Sequence, residues 1–259
     1  MINLSKINLT FAPNTIREKK ALRNVSLKIN EGNFITVIGS NGAGKSTLLN
    51  TISGEYIPDT GHIHIDDEEV TTIPAEGRSK DVARVFQDPL AGTCGDLTIM
   101  ENMALAHRRG QKRGLSRAIK GQSMHFYQDA LKRLDLGLES RLETAMAMLS
   151  GGQRQAVSLL MATLSPLKIL LLDEHTSALD PKTAAFVMDL TNKIIRDQNL
   201  TALMVTHSLH QALKYGNRTI MLHEGRIVKD ISGEERRTMT PEDVMALFSD
   251  AADDKLLLG

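Results

Sequence analysis

A glycine-rich stretch in the first fifth of the chain has residues whose types and spacing suit phosphate binding. It fits the pattern G-x4-G-K-[ST] and comprises Gly39, Ser40, Asn41, Gly42, Ala43, Gly44, Lys45, Ser46 and Thr47. Its glycines let the backbone curl so that successive N–H groups point at phosphate oxygens, and the helix that follows adds positive partial charge. In this pattern Lys45 reaches the β- and γ-phosphates, and the Ser46 hydroxyl is placed to bind Mg²⁺. The stretch therefore predicts a site for ATP or GTP.

Two neighbouring carboxylates, Asp173 and Glu174, follow the apolar run 169–172. Such a run predicts a strand buried on both faces, so the residue at its end has a fixed position. Asp173 could then hold Mg²⁺ directly or through water, and Glu174 could orient the attacking water or accept its proton. Paired acids at the end of a strand, downstream of a phosphate loop, predict hydrolysis of the bound nucleotide.

A third short motif comprises Leu149, Ser150, Gly151, Gly152 and Gln153. Its serine and glycines leave backbone N–H groups available at the start of a predicted helix, which makes it a second candidate site for an anion. Taken alone, however, the sequence SGGQ is explained better by an ordinary capped helix start. The motif by itself does not decide between these two explanations.

The elements that must position these motifs alternate between strand and helix. Period-two alternation or short apolar runs predict strands at 2–9, 25–29, 34–38, 62–65, 82–86, 169–172 and 202–206. Helical periodicity predicts helices at 45–53, 98–106, 123–134, 151–164 and 181–196, the last with Asp180 as its N-cap, and a short helix after Thr240. This order predicts one α/β domain, with a core of about 1–88 and 165–232, a helical subdomain of about 89–164 and a short helical tail at 233–259.

The overall composition limits the classes of function. Lys and Arg number 31, as do Asp and Glu, so the chain lacks the global basic field of a nonspecific nucleic-acid binder, and no nucleic-acid partner is expected. No apolar run approaches the ~20 residues that span a bilayer, and the first residues lack the features of a signal peptide. The single cysteine, Cys94, excludes an internal disulfide and is expected to be a buried, inert thiol. These features predict a cytoplasmic protein.

A basic stretch at 107–120 carries six cationic residues: Arg108, Arg109, Lys112, Arg113, Arg117 and Lys120. One interpretation of this stretch is the solvated face of a helix and loop. The other is a contact surface for an acidic or phosphate-rich partner. The sequence leaves both interpretations open.

The three motifs together resemble those of ABC-type ATPases, because 149–153 precedes the paired acids by about 20 residues, as the signature motif of that family does. Further family motifs can then be matched by position. Gln87 in the sequence VFQD matches the Q-loop, which contacts Mg²⁺ and water, and His207 in MVTH matches the switch histidine that contacts the γ-phosphate. The D-loop is matched by Ser177, Ala178, Leu179 and Asp180.

The resemblance implies a role for each matched residue. The catalytic residues would be Glu174, His207, Gln87 and Lys45, and the Mg²⁺ ligands would be Ser46, Gln87 and Asp173. Phe11 stands where the family keeps an aromatic residue that stacks on adenine. The connection 12–20 is longer than usual, so packing of Phe11 into the core is a second interpretation.

Two further comparisons refine the resemblance. His175 follows Glu174 where many members of the family have proline, which removes no catalytic group. The stretches 87–95 and 173–183 look most like those of ATPases from bacterial uptake systems for aromatic amino acids.

The resemblance also implies an architecture and an assembly. The fold would be a RecA-like P-loop NTPase core with an antiparallel β edge and a helical subdomain. Two copies of the chain would pack head to tail, with ATP and Mg²⁺ between the phosphate loop of one copy and the signature of the other. The further partners would be an integral membrane permease and an extracytoplasmic solute-binding protein. The chain would then lie on the cytoplasmic face of the membrane, held there through the permease.

Two processes that ATP hydrolysis could drive fit these motifs. The first is an ABC transporter that imports a small solute such as an amino acid, because importers of this family usually keep the ATPase as a separate chain. The alternative is a soluble ABC ATPase of a non-transport assembly complex, for example one that assembles iron–sulfur clusters. The sequence favours the importer.

Overall fold

The computed structural model of the protein describes residues 1–111 and 121–253, which fall into two compact units. The strands are β1 (Ile2–Phe11), β2 (Lys19–Ile29), β3 (Phe34–Gly39), β4 (Thr60–Ile65), β5 (Glu68–Glu69), β6 (Val82–Val85), β7 (Ile169–Asp173), β8 (Ala202–Val205), β9 (Arg218–His223) and β10 (Arg226–Ser232). The helices are α1 (Lys45–Ser53), α2 (Ala75–Arg78), α3 (Ile99–His107), α4 (Gly121–Lys132), α5 (Gly151–Ala162), α6 (Pro181–Asp197), α7 (Leu209–Lys214), α8 (Gly233–Thr238) and α9 (Pro241–Asp253). Unit 1 comprises Met1–Ala75 and the residues from Thr201 onward, and unit 2 comprises Glu76–Leu200.

Unit 1 contains an antiparallel sheet with the strand order β2-β1-β4-β5. In β1 the alternating apolar residues Ile2, Leu4, Ile7 and Leu9 are buried, and the alternation shifts by one residue at Lys6, where the register with β2 is irregular. The predicted strand at 2–9 is thus confirmed. The predicted strand at 25–29 is confirmed but begins earlier, at Lys19, because exposed lysines hide the apolar period at its start.

The second sheet region of unit 1 is built around β3. This strand pairs in parallel with β8 on one side and with β9 on the other, and β10 adds an antiparallel edge to β9. All residues of the apolar run 34–38 are buried, as the run predicted. Because β3 and β8 are parallel, their carboxyl ends lie at the same edge of the sheet.

The C-terminal helices of unit 1 are held by one buried arginine. Arg236 of α8 donates hydrogen bonds from Nη2 to the carbonyls of Ala212 (2.7 Å) and Tyr215 (2.5 Å), and from Nε to Thr219 Oγ1 (2.9 Å). Ala212 lies in the last turn of α7 and Tyr215 follows that helix, so the guanidinium satisfies carbonyls that a helix end leaves without partners in the helix. Burial lowers the pKa of Arg236, which reflects the cost of desolvating its charge.

Replacing Arg236 by methionine is expected to lower the free energy of unfolding by about 2–4 kcal/mol, because it removes the buried donors that Arg236 gives to the Ala212 and Tyr215 carbonyls and to Thr219 Oγ1. Urea denaturation followed by circular dichroism measures this difference. Arg237 is a matched control, since it is the next residue of the same helix and its side chain is 74% exposed. Arg237→Met should change the free energy of unfolding by less than about 0.5 kcal/mol. Equal effects of the two substitutions would contradict the capping role of Arg236.

Unit 2 contains the parallel pair β6–β7 and the helices α3 to α6, and β7 is buried along its whole length. Helix α3 begins with a capping box between Thr98 and Glu101. Helix α6 begins at Pro181, with the Asp180 carboxylate accepting a hydrogen bond from the Thr183 N–H (3.1 Å). The predicted helix starts are therefore confirmed. Within the described residues, no helix combines the length and the apolar character needed to cross a bilayer.

The basic stretch at 107–120 is only partly described, since residues 112–120 lie outside the described part of the chain. Within it, Arg109 does not belong to a solvated face. Its guanidinium is mostly buried and donates to the carbonyls of Ala162 (2.8 Å) and Ser165 (3.4 Å), at the end of α5. A cation there complements the partial negative charge of the helix C-terminus.

Cys94 is exposed, so the expectation of a buried thiol is wrong. Its loop is held through the backbone instead. The side-chain amide of Asn102, on α3, accepts a hydrogen bond from the Cys94 N–H (2.8 Å) and donates one to the Cys94 carbonyl (3.0 Å). The general tendency of cysteine to be buried therefore does not apply at this position.

Candidate functional site

The phosphate loop lies between β3 and α1 in unit 1, and close backbone contacts explain its glycines. A Cβ on Gly39 would lie 2.4 Å from the carbonyl oxygen of Leu222, and one on Gly44 would lie 2.6 Å from that of Ala21. Gly44 is also the N-cap of α1 and has φ 103°, in the left-handed region that favours glycine. Residues with side chains would push the loop away from the strands that shape it.

Lys45, the first residue of α1, is 6% exposed and turns back over the loop. Its Nζ donates hydrogen bonds to the carbonyls of Gly39 (2.8 Å) and Ser40 (3.1 Å). A second ammonium lies at the same loop, because Nζ of Lys19 is 3.4 Å from the position that a Cβ on Gly42 would take. Sequence reasoning missed Lys19, since it belongs to no motif and only the start of β2 brings it there.

His207 lies just after the carboxyl end of β8, in unit 1, in a turn with hydrogen-bonded neighbours. The Thr206 hydroxyl donates to Gln211 Oε1 (2.9 Å) and accepts from the Ser208 N–H (3.1 Å). The Ser208 hydroxyl in turn caps α7 by accepting from the Gln211 N–H (3.2 Å). These bonds fix the backbone around His207 at the edge of the sheet from which the phosphate loop also leaves.

Phe11 lies at the end of β1 and is half-buried. Its ring packs edge-on against Tyr56, with the ring centroids 5.2 Å apart and an interplanar angle of 77°. The exposed residues 12–20 follow it. The ring therefore has a protein neighbour on one side and is not enclosed in the core.

The paired acids lie at the end of β7, in unit 2. Nη2 of Arg84 is 2.6 Å from Oδ2 of Asp173, and sequence reasoning missed this contact. Glu174 has φ 46°, a left-handed backbone conformation that is costly for a residue with a side chain. Its carbonyl accepts a hydrogen bond from the Ser177 N–H (2.9 Å), which closes the turn. The strand end thus holds the two carboxylates in a sharply turned backbone.

His175 is fully buried and links this turn to α6. Burial lowers the pKa of its ring to about 4, so the ring is neutral at pH 7. Its Nε2 is 3.0 Å from Thr191 Oγ1, and the Thr191 hydroxyl donates to the Val187 carbonyl (2.7 Å). Because that hydroxyl proton is used, Nε2 carries the proton and donates to Thr191. Histidine at 175, where many members of the family have proline, therefore adds a side-chain hydrogen bond to α6 next to Glu174.

The signature residues form the start of α5, in unit 2. Ser150 Oγ accepts from the Gln153 N–H (3.3 Å), and Gln153 Oε1 accepts from the Ser150 N–H (3.2 Å), so a capping box is present. A Cβ on Gly152 would lie 2.2 Å from Thr183 Cγ2, and one on Gly151 would lie 3.3 Å from Leu179 Cδ2. The first turn of α5 therefore packs tightly against the D-loop and the start of α6.

Exposed apolar side chains lie beside the signature. Met148 is 75% exposed and Leu90 is 46% exposed. A Cβ on Gly95 would lie 3.6 Å from Ala147 Cβ and 4.0 Å from Leu90 Cδ2, so Leu90 and Ala147 both lie beside Gly95, and Met148 follows Ala147 in the chain. We call Leu90, Ala147 and Met148 the apolar patch. Gln87, where the segment toward this patch begins, is exposed directly after β6.

Arg154 of α5 fixes the backbone under the apolar patch. Its guanidinium donates to three carbonyls at 3.0–3.1 Å, those of Met146, Ala147 and Leu149. Sequence reasoning did not single out this arginine. Its place one residue after the signature was the only signal.

Comparison with known proteins identifies the family. A sequence profile described as ABC transporter matches residues 22–177. The tyrosine transport ATP-binding protein of Clostridioides difficile is 45% identical over 248 residues, which are 95% of this chain and 96% of that protein. The thiamine import ATP-binding protein of Photobacterium profundum is 35% identical and covers 88% of this chain and 90% of its own length. A methionine import ATP-binding protein of Streptococcus agalactiae is 31% identical, over 93% of this chain and 68% of that protein.

Solved structures agree with these relatives. The dimeric structure of MJ0796, a bacterial ABC transporter cassette, has a TM-score of 0.75 and 30% identity, and covers 90% of this chain and 98% of its own. A dimeric post-hydrolysis state of the same cassette, bound to ADP and Pi, has a TM-score of 0.74. The predicted RecA-like P-loop fold is thereby confirmed. The chain belongs to the family of ATP-binding and ATP-hydrolysing subunits of ABC transporters.

Proposed function

We propose that this subunit powers an importer of a small solute, with an aromatic amino acid such as tyrosine as the leading candidate. The observation that carries the proposal is the 45% identity to a tyrosine transport ATP-binding protein over nearly the whole of both chains. The relatives named for thiamine and methionine import also support import, and none of the three supports an assembly complex.

In this proposal, unit 1 binds the phosphates and the adenine of ATP. The loop at 39–47 offers backbone N–H groups, and Lys45 exchanges its two loop carbonyls for the β- and γ-phosphates. Lys19 adds positive charge at Gly42. His207 contacts the γ-phosphate from the end of β8, and Phe11 contributes its open ring face to adenine.

We further propose that Mg²⁺ binds with the nucleotide at Ser46, Gln87 and Asp173. Their hydroxyl, amide and carboxylate oxygens are the hard ligands that Mg²⁺ prefers, and Mg²⁺ in such sites uses few protein ligands together with phosphate oxygens. Bound there, the ion would neutralise charge that develops on the transferred phosphoryl group. Glu174 orients the attacking water and accepts its proton.

The active assembly in this proposal is a head-to-tail dimer of two copies. The dimeric MJ0796 structures support it. Each ATP then contacts the phosphate loop of one copy and Ser150, Gly151, Gly152 and Gln153 of the other, with Leu149 and the D-loop residues at the edge of this contact. The first turn of α5 suits this role because a helix N-terminus attracts anions.

The apolar patch is proposed as the contact for the integral membrane permease. Exposed apolar side chains that lie together mark interaction sites, and this group lies next to the segment that begins at Gln87. The subunit would then be held on the cytoplasmic face of the membrane through the permease. An extracytoplasmic solute-binding protein would deliver the solute to the permease.

Leu90→Ala combined with Met148→Ala is expected to weaken assembly with the permease by about tenfold or more, since two apolar side chains lose their burial in the contact. ATPase activity of the purified subunit should stay within about twofold of wild type, while stimulation in the assembled complex is lost. Leu105→Ala is the matched control, because Leu105 is also exposed in unit 2 (53%) but lies on α3 outside the patch. Equal loss of activity in the subunit and the complex would mean that the patch serves folding.

Transport itself tests the proposed function. The subunit and its permease are reconstituted in vesicles with the subunit facing the lumen, Mg-ATP inside, and the binding protein and radiolabelled tyrosine outside. The vesicles should accumulate tyrosine in the lumen with ATP and none without it. Unlabelled phenylalanine, tryptophan, methionine and thiamine then compete to rank the solutes. ATP-independent movement, or the absence of movement for every amino acid tried, would contradict the proposal.

A further inference from the structure

Arg84 is a charged residue in a strand, and its side chain reaches the end of the neighbouring strand. Its Nη2 lies 2.6 Å from Oδ2 of Asp173, and both side chains are largely buried, with 14% and 12% exposed. The contact joins β6 to the carboxylate to which the family assigns Mg²⁺. None of the motifs matched in the sequence includes this arginine.

The sheet register explains the contact. Arg84 is opposite Leu171 in the parallel pairing of β6 with β7, and Asp173 is two residues farther along β7. Residues two apart in a strand point to the same face of the sheet, so Asp173 and Leu171 share the face on which Arg84 lies. The length of the arginine side chain covers the remaining distance along the strand.

A second group of contacts joins Arg84 to the signature helix. Its guanidinium carbon lies 4.7 Å from the centre of the Phe86 ring, a cation–π arrangement. The Phe86 carbonyl accepts a hydrogen bond from Nε2 of Gln155, on α5 (3.2 Å). Phe86 directly precedes Gln87. The contacts thus run from α5 through Phe86 and Arg84 to Asp173, all within unit 2.

Stability alone is a poor explanation for this ion pair. Taking two charges out of water costs free energy, and a well-packed apolar pair at the same positions is often as stable or more stable. A better explanation is that the charge of Arg84 fixes the orientation of the Asp173 carboxylate. Arginine suits this purpose because its planar guanidinium can bind a carboxylate oxygen and stack on a ring at the same time.

We propose that Arg84 is a positioning residue, which holds the Asp173 carboxylate in the orientation that Mg-nucleotide requires and ties that orientation to the signature helix through Phe86. The inference rests on the proposed role of Asp173 as a Mg²⁺ ligand. Without Arg84 the carboxylate gains rotational freedom, so Mg²⁺ has to order it on binding. Nucleotide that binds without Mg²⁺ does not depend on this step.

The test is binding of a fluorescent ATP analogue, titrated with Mg²⁺ and repeated in EDTA, for wild type, Arg84→Met, Arg84→Lys and Phe86→Leu. In EDTA, the Kd for the ATP analogue should stay within about twofold of wild type for all variants. The Mg²⁺ midpoint, which is the Mg²⁺ concentration that gives half of the Mg²⁺-dependent binding signal, should rise about tenfold in Arg84→Met. The Mg²⁺ midpoint of Arg84→Lys should lie between those of wild type and Arg84→Met, because lysine keeps the charge but not the planar stacking group. Phe86→Leu should shift in the same direction by a smaller factor.

Arg218→Met is the matched control, since Arg218 of unit 1 also has a largely buried side chain that pairs with a carboxylate, that of Asp230, at 2.5 Å. It should lower the midpoint of thermal unfolding without changing the Mg²⁺ titration. The binding signal of each variant is divided by its concentration of folded protein, and circular dichroism measures the folded fraction. If Arg84→Met loses stability yet keeps the wild-type Mg²⁺ midpoint, Arg84 is only structural and the inference is overturned.

A Mg²⁺ midpoint below that of wild type in Arg84→Met would also overturn the inference, because Arg84 would then compete with the ion instead of positioning its ligand. Failure of the proposed Mg²⁺ site, on which the inference rests, would give a different result. In that case the wild-type protein itself would show no Mg²⁺-dependent binding of the nucleotide.

Discussion

Replacing Glu174 by glutamine is expected to slow ATP turnover by about 10²–10⁴-fold while ATP binding stays intact. The amide keeps the size of the side chain and its place in the left-handed turn after β7, but it cannot accept a proton from water. Phosphate release measures turnover, and binding of a fluorescent ATP analogue measures affinity. Because ATP then stays bound between the two copies, the variant should also elute as a dimer in the presence of ATP.

A control variant tests whether the slower turnover of Glu174→Gln comes from the loss of a proton acceptor or only from the loss of a negative charge in unit 2. Glu143 is exposed in the segment that precedes the signature, and Glu143→Gln removes the same charge away from the strand end. It should leave turnover within about twofold of wild type. Turnover close to normal in Glu174→Gln would remove Glu174 from the mechanism, and Asp173 or a phosphate oxygen would have to activate the water.

Mixing two inactive variants is expected to restore ATP hydrolysis. Lys45→Ala removes the phosphate-loop lysine, and Ser150→Arg obstructs the signature at an exposed position. In a mixed head-to-tail dimer one site carries both lesions and the other carries neither. With random exchange, half of the dimers are mixed and each has one intact site, so about a quarter of wild-type activity should return.

The control for this experiment is a mixture that contains no intact site in any dimer. Lys45→Ala mixed with a Lys45→Ala, Ser150→Arg double variant meets this condition and should stay inactive. Circular dichroism of each chain confirms that it is folded. Full activity of either single variant by itself would show that its residue is dispensable, and no recovery in the first mixture, with mixed dimers demonstrated, would contradict sites that act independently across the interface.

Local patterns predicted most of the elements, because they reflect local physics. The continuous apolar run at 34–38 requires burial on both faces, and Asp180 followed by Pro181 favours one helix start, so neither depends on distant residues. The motifs of the candidate site could likewise be identified from the sequence, since phosphate binding by a loop needs glycines and a lysine at fixed spacing.

Contacts set by strand register and by the ends of distant helices could not be predicted in this way. Arg84 meets Asp173 because β6 pairs with β7 in one particular register, and Lys19 reaches the phosphate loop because β2 begins beside it. Arg109 was interpreted as part of a basic surface, whereas its charge is used at the carbonyl end of α5. Such residues carry no sequence signature, since any of several registers would have placed them elsewhere.

The capping box at Ser150 bears on how long two copies can stay together. The Gln153 N–H already has an acceptor in the isolated chain, the hydroxyl of Ser150. In the proposed dimer, a phosphate oxygen held by the neighbouring copy would take the place of the Ser150 hydroxyl at this N–H, so the exchange would contribute about 1 kcal/mol or less instead of the full strength of a new bond. In that dimer the Gln153 N–H would hold the nucleotide only weakly, which suits two copies that close on ATP and open again after each turnover.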